Sequence, residues 1–198
     1  MKILITGGAE GVIRRKNLRV VNYDYSQAGA YFITICAKAH KCILGKIENG
    51  QIRLNKYGEI VNICWREIPE HFPNVILDAF AIMPNHIHGI VKSDLGCRGK
   101  ACLAPTPSKP GKTIAGSLPV IIGSFKSAVS KQINILRKTP GKSIWQRNYY
   151  EHIIRNENSL NQIRQYIEYN SLNWDMDIEN PMTSSGLNFR DYYKRIIQ

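Results

Sequence analysis

His86 and His88 lie two residues apart in an apolar run, Asp78-Ala79-Phe80-Ala81-Ile82-Met83-Pro84-Asn85-His86-Ile87-His88-Gly89-Ile90-Val91. Residues i and i+2 of a β-strand project to one face. The spacing predicts two imidazoles side by side, with Ile87 turned into the opposite layer. Such a pair is a ready set of ligands for one metal ion. The plainer reading is two hydrogen-bonded histidines inside a sheet.

Two imidazoles alone hold a metal poorly, so a third ligand is needed. Residues 158–170 read as a helix, with Leu160, Ile163 and Tyr166 or Ile167 on its apolar side. Tyr166 and Asn170 are four apart and share a face. Asn170 is a hard oxygen donor. With His86 and His88 it suits Mg2+ or Mn2+, water and phosphate oxygens completing the shell. It fits a helix C-cap equally well. A tyrosine beside such an ion can attack a phosphodiester in line and keep the bond energy in a covalent phosphotyrosine. Spacing alone does not select Tyr166 from ten tyrosines, and Tyr149, Tyr150 and Tyr169 are rivals.

The charge balance points to a polyanion. The 198-residue chain carries 27 Lys+Arg against 15 Asp+Glu, a formal charge of +12. Such an excess favours nucleic acid as partner. Candidate phosphate contacts are Arg14, Arg15, Lys16 and Arg19, then Lys126 and Lys131 on a helix, with Arg147 further on. Lys100, Lys109 and Lys112 add to them from a loop. Trp145, Tyr149 and Tyr150 are aromatic platforms for extruded bases, or core residues. His152 is placed to bond a phosphate or brace the metal site, or to pack as a satisfied histidine.

The five cysteines match neither a disulfide framework nor a zinc-binding Cys-x-x-Cys pair. A reducing cytoplasm is the expected location. No apolar run approaches a membrane span, and no secretory pattern opens the chain. The start, Ile3-Leu4-Ile5-Thr6-Gly7-Gly8-Ala9-Glu10-Gly11, imitates a dinucleotide loop but runs into Arg14-Arg15-Lys16 rather than a periodic helix. It reads as an arm.

The elements that must position these groups follow in order. Residues 30–37 form a core strand, and Asn49-Gly50 turns a small hairpin. Residues 56–67 carry a helical stripe that ends at Pro69. Residues 75–83 and 86–91 form two strands, joined by a tight turn at Pro84-Asn85 or read as one broken strand. Residues 93–116 are a long basic loop, and 118–136 a helix with Ile122, Phe125, Val129, Ile133 and Leu136 on one side. Residues 143–154 hold a loop and short strand ahead of the 158–170 helix. This order fits an α+β fold, a ferredoxin-like antiparallel sheet with helices packed on it. The expected organisation is an arm over 1–13, one domain over 14–174 and a tail over 175–198.

Met83-Pro84-Asn85-His86-Ile87-His88-Gly89-Ile90 resembles the histidine-hydrophobic-histidine motif of the single-tyrosine transposases. Tyr23-Asp24-Tyr25-Ser26 with Tyr31-Phe32-Ile33-Thr34-Ile35 is similar to the opening strand region of their REP-associated branch. Trp145-Gln146-Arg147-Asn148-Tyr149-Tyr150-Glu151-His152-Ile153-Ile154-Arg155-Asn156 resembles that branch's next block. Arg164-Gln165-Tyr166-Ile167-Glu168-Tyr169-Asn170 falls where the nucleophile helix is carried. The resemblance spans about residues 14–174 and implies Tyr166 as nucleophile, His86, His88 and Asn170 as metal ligands, and the tyrosine on a C-terminal helix. It further implies nicking of single-stranded DNA at hairpin or palindromic elements, a 5′-phosphotyrosine, a free 3′-hydroxyl and no nucleotide cofactor. Monomer and homodimer are both compatible with the broader group. Two departures stand out. Asn170 is followed by Ser171 where the family carries proline, and residues 1–13 have no counterpart. A silent DNA-binding relative, or an RNA-binding protein or ribonuclease on a similar sheet, are the competing readings.

Overall fold

The computed structural model describes residues 29–93, 116–183, 191–193 and 196. The arm, the Arg14–Arg19 basic cluster and all but the ends of the 93–116 loop lie outside the described residues.

Strand β1, Gly29–Cys36, forms from a β-branched and aromatic run and is buried on both faces. A short 3-10 turn, Lys38–His40, follows it. Strands β2, Gly45–Glu48, and β3, Gln51–Leu54, make the expected small hairpin. Asn49 and Gly50 take φ of 52° and 73° there, the left-handed pair of a two-residue turn. Helix α1, Lys56–Arg66, starts at Asn55, whose side chain accepts from the amides of Tyr57 and Gly58. The one-turn α2, Ile68–His71, carries Pro69 in its first turn.

Strands β4, Val75–Ile82, and β5, His86–Ser93, are an antiparallel pair. The tight-turn reading of Pro84-Asn85 therefore holds, closed by the Met83 amide donating to the His86 carbonyl. Helix α3, Leu118–Leu136, has the predicted span. Its buried stripe is Leu118, Ile121, Ile122, Phe125, Val129 and Ile133, while Leu136 is exposed. Strand β6, Tyr150–Ile154, leads into helix α4, Glu157–Tyr169, which the Asn156 side chain caps through the Ser159 amide.

The four-stranded sheet has the order β4-β5-β1-β6, with antiparallel neighbours throughout. Its strands, crossed by α1 and α3, give the split βαβ pattern of a ferredoxin-like fold. One face carries Tyr31, Ile33, Ile35, Ile87, Val91 and Ile153 against α1 and α3. The other carries Phe32, Ile90 and Ile154 against Leu160, Ile163 and Ile167 of α4. Coverage on both sides explains why β1 and β5 read as continuous apolar runs rather than alternating ones.

Two local features aim the site. Leu77 pairs with Val91 and Phe80 with Gly89, so Asp78 and Ala79 together face Ile90 in a β-bulge. At Gly89 a Cβ would lie 2.4 Å from Trp65 Cζ2. Trp65 is itself stacked on Phe80 at 4.5 Å and set edge-on to Phe125 at 5.4 Å. The residue after His88 is thus a glycine because an indole occupies its side-chain space.

Candidate metal centre and tyrosine

His86 and His88 project together onto the α4 face, and both are fully buried. Their Nε2 atoms lie 3.0 Å apart. The partners of the other ring nitrogens decide what that distance means. Asn85 donates through Nδ2 to the carbonyls of Glu179, at 2.6 Å, and His40, at 3.1 Å. That orientation leaves Asn85 Oδ1 to accept from His86 Nδ1–H at 2.8 Å. His88 Nδ1 meets Thr34 Oγ1 at 2.9 Å, and the Thr34 hydroxyl is directed at Tyr193 Oη at 3.3 Å. Thr34 therefore accepts from His88 Nδ1–H. Both rings carry their proton on Nδ1 and turn an Nε2 lone pair toward the other.

Two lone pairs at that separation repel unless a cation or proton lies between them. Acceptors that hold the far ring nitrogen's proton in this way are the usual companions of metal-ligating histidines. Burial, and then the neighbouring His86, hold the His88 imidazolium well below its ordinary pKa, which keeps the ring neutral. Asp177 completes a group whose ligand atoms all lie within 4.8 Å of one another. Its Oδ2 is 3.8 Å from His86 Nε2. These residues form a set that fits a divalent ion.

Asn170, the ligand expected from the sequence, caps α4 and is buried in the same pocket. Its Nδ2 donates to Asp177 Oδ2 at 2.9 Å. Its Oδ1 is buried without a hydrogen-bond partner. Asp177 is the candidate ligand that sequence reasoning did not name. It follows the 3-10 turn Trp174–Met176, beyond the expected domain edge, and nothing local distinguishes it from Asp175.

Tyr166 reaches the same centre from α4, its hydroxyl 3.0 Å from His88 Nε2. A hydrogen bond also joins it to Tyr192. Burial, with the nearby Tyr193 and Asp177, pushes the Tyr166 phenol well above its usual pKa. The phenol is therefore protonated at neutral pH. Phe32, packed against His88 at 5.4 Å and edge-on to Tyr166 at 6.0 Å, walls the pocket. His88 Nε2 has one lone pair, so it serves Tyr166 or a metal ion at one time. Of the rival tyrosines, Tyr169 is exposed, Tyr149 packs against the core under α1 and α3, and Tyr150 stacks on Tyr193.

The helix that carries Tyr166 is fastened at the bulge. Arg164 Nε and Nη2 donate to Asp78 Oδ1 and Oδ2 at 2.9 and 2.7 Å. Lys92 Nζ lies 2.6 Å from Oδ2 of the same carboxylate.

The proposed nucleic-acid contacts disperse. Lys126 turns its ammonium onto the carbonyls of Gln146, Arg147 and Asn148, at 2.6, 3.2 and 3.4 Å, and burial lowers its pKa to about 8. It braces the approach to β6 instead of facing outward. Trp145 is 4% exposed and packs on Phe125, so a base could stack on it only by opening the core. Tyr149 packs half-buried against the same core, and Tyr150 stacks on Tyr193 at 4.6 Å on the tyrosine face. Lys131 and Arg147 are exposed. His152 is half-buried opposite Phe32, its pKa lowered by burial and by Arg155. Arg14, Arg15, Lys16 and Arg19 lie outside the described residues. No described helix is long and apolar enough to cross a membrane.

No family model matches the chain. An uncharacterized protein of Haemophilus influenzae is 40% identical over 171 residues, covering 84% of this chain and 93% of that protein. Among solved structures, a REP-associated tyrosine transposase bound to a REP hairpin aligns over 91% of this chain and 88% of that chain, with a TM-score of 0.50 and 16% identity. At that identity the likeness is one of fold.

Proposed function

We propose, for a chain that belongs to one family with the Haemophilus influenzae protein, a metal-dependent DNA nuclease and strand-transfer activity with Tyr166 as nucleophile. The substrate is single-stranded DNA carrying hairpin or palindromic elements. The observation that carries this reading is the convergence on one buried point of two Nε2 lone pairs, 3.0 Å apart, and a tyrosine hydroxyl 3.0 Å from one of them. The fold shared with a transposase bound to a REP hairpin supports the choice of substrate.

His86, His88 and Asp177, with the orphaned Asn170 oxygen beside them, would hold Mg2+ or Mn2+. When bound, the ion supplies positive charge that polarises the scissile phosphate. Tyr166 gives up its bond to His88 and presents its oxygen to phosphorus. A Tyr166 Oη–P bond forms as the P–O3′ bond breaks. The phenolic proton passes to solvent or base, and the departing 3′-oxygen takes a proton to become a hydroxyl. The product is a 5′-phosphotyrosine, and reversal onto another 3′-hydroxyl completes strand transfer. Thr34 and Asn85 keep both imidazoles in the ligating tautomer throughout. Phe32 and the Tyr150–Tyr193 stack exclude water from the tyrosine side.

Incubation with labelled single-stranded hairpin DNA and Mn2+ tests this reading. A covalent protein–DNA band that disappears in Tyr166→Phe is the expected result. Tight binding with no cleavage across a broad set of palindromes points to a binding-only protein. Binding should weaken steeply with salt, because several phosphates are contacted.

A further inference from the structure

We propose that Cys36, His40 and Glu179 form a second metal centre, for a thiophilic divalent ion of the Zn2+ class. Their ligand atoms all lie within 4.8 Å of one another. Cys36 is the last residue of β1 and pairs in register with His86. The chain then turns sharply, with Ala39 at φ 57° and His40 at φ 50°. Two consecutive non-glycine residues in the left-handed region are costly, and such strain persists where surrounding interactions over-determine it. Here the turn brings the His40 ring back to the strand end. Its Nδ1 lies 3.0 Å from Glu179 Oε2. Glu179 arrives from beyond α4 and is 3% exposed.

The donor set differs in kind from the first centre. Thiolate, imidazole and carboxylate together select zinc over Mg2+ or Mn2+. The second nitrogen of His40 is also engaged, 2.6 Å from the Gln146 side-chain amide. Gln146 Nε2 donates to His40 Nε2, so the His40 Nδ1–H faces the Glu179 carboxylate, and an ion would take the place of that proton between the two ligands. His40 is part-exposed, which leaves a route for the ion from solvent.

The two centres share a brace. Asn85 donates to the carbonyls of both His40 and Glu179 and accepts from His86. An ion at Cys36, His40 and Glu179 would pin the turn and the 177–180 segment, and through Asn85 the tautomer of His86. The proposal does not depend on the tyrosine chemistry.

The test uses the full chain, stripped with chelator and reloaded with Co2+ as a spectroscopic stand-in for zinc. A thiolate-to-cobalt charge-transfer band is expected in the native protein and in the His86→Ala/His88→Ala double variant. One equivalent of Zn2+ should displace it. The band should vanish in Cys36→Ser, and Co2+ affinity should fall at least about tenfold in His40→Ala, a part-exposed position that leaves the core intact. A band that survives Cys36→Ser overturns the proposal. So does a folded native protein that binds no zinc, or zinc lost only when His86 and His88 are removed. DNA cleavage is not a readout, so the two proposals fail separately.

Discussion

Arg164 closes a two-pronged hydrogen bond on Asp78, at 2.9 and 2.7 Å, joining the helix of the tyrosine to the bulge of the neighbouring sheet edge. Tyr166 lies two residues further along that helix. The bulge turns Asp78 toward α4 close to the level of Tyr166.

Asp78→Asn should therefore cost about 1 kcal/mol at neutral pH, since the cluster is partly solvated. The Arg164 hydrogen bond, with Lys92, holds the Asp78 carboxyl well below the usual carboxylate range. A depressed folded pKa stabilises the protein above the unfolded value of about 4 and is lost as pH falls through the folded one. Urea midpoints measured from pH 6 down to 2 should fall less steeply in the variant. Parallel slopes would remove Asp78 from the acid response.

Thr34→Val removes the acceptor that holds the His88 proton on Nδ1. A buried N–H is left unpaired, at a cost of about 1–3 kcal/mol. Mn2+ affinity should drop about 10–100-fold, as when other partners that orient a ligating histidine are lost. Calorimetric titration measures this, and unchanged affinity would show that the threonine is not setting the tautomer.

Gly89→Ala places a methyl group against the Trp65 indole at 2.4 Å. Phe80 and Phe125 hold that indole on two sides, so it has little room to yield. The expected loss is about 1–3 kcal/mol in thermal or urea unfolding, and Trp65 fluorescence should shift.

His86→Ala and His88→Ala should abolish DNA cleavage while leaving most of the hairpin affinity. Cleavage and binding assays on one preparation separate the outcomes. Equal loss of both would assign the histidines a folding role. Chelation of the native protein should mimic the cleavage defect and be reversed by Mn2+.

Much of this was legible in the sequence because local rules carried it. The period-two spacing of His86 and His88, the Asn49-Gly50 turn and the apolar stripe of α3 each depend on neighbours in the chain. Fold class followed from element order. The third member of the set did not, because Asp177 meets His86 only through the path of the chain after α4. Thr34 and Asn85 were likewise hidden. Each matters for a ring nitrogen whose orientation depends on cross-strand register or on distant carbonyls. Lys126 and Trp145 show the limit of residue type as a guide. A basic and an aromatic residue in a basic protein suit DNA, but local carbonyls and the core engage them first.

The central claim is that Tyr166 bonds to DNA. Peptide mapping of the adduct formed with hairpin DNA and Mn2+ tests it most directly. A single modified peptide, with the 5′-phosphonucleotide on Tyr166, is the predicted result. Modification at Tyr149, Tyr150 or Tyr169, or an adduct that persists in Tyr166→Phe, would contradict it.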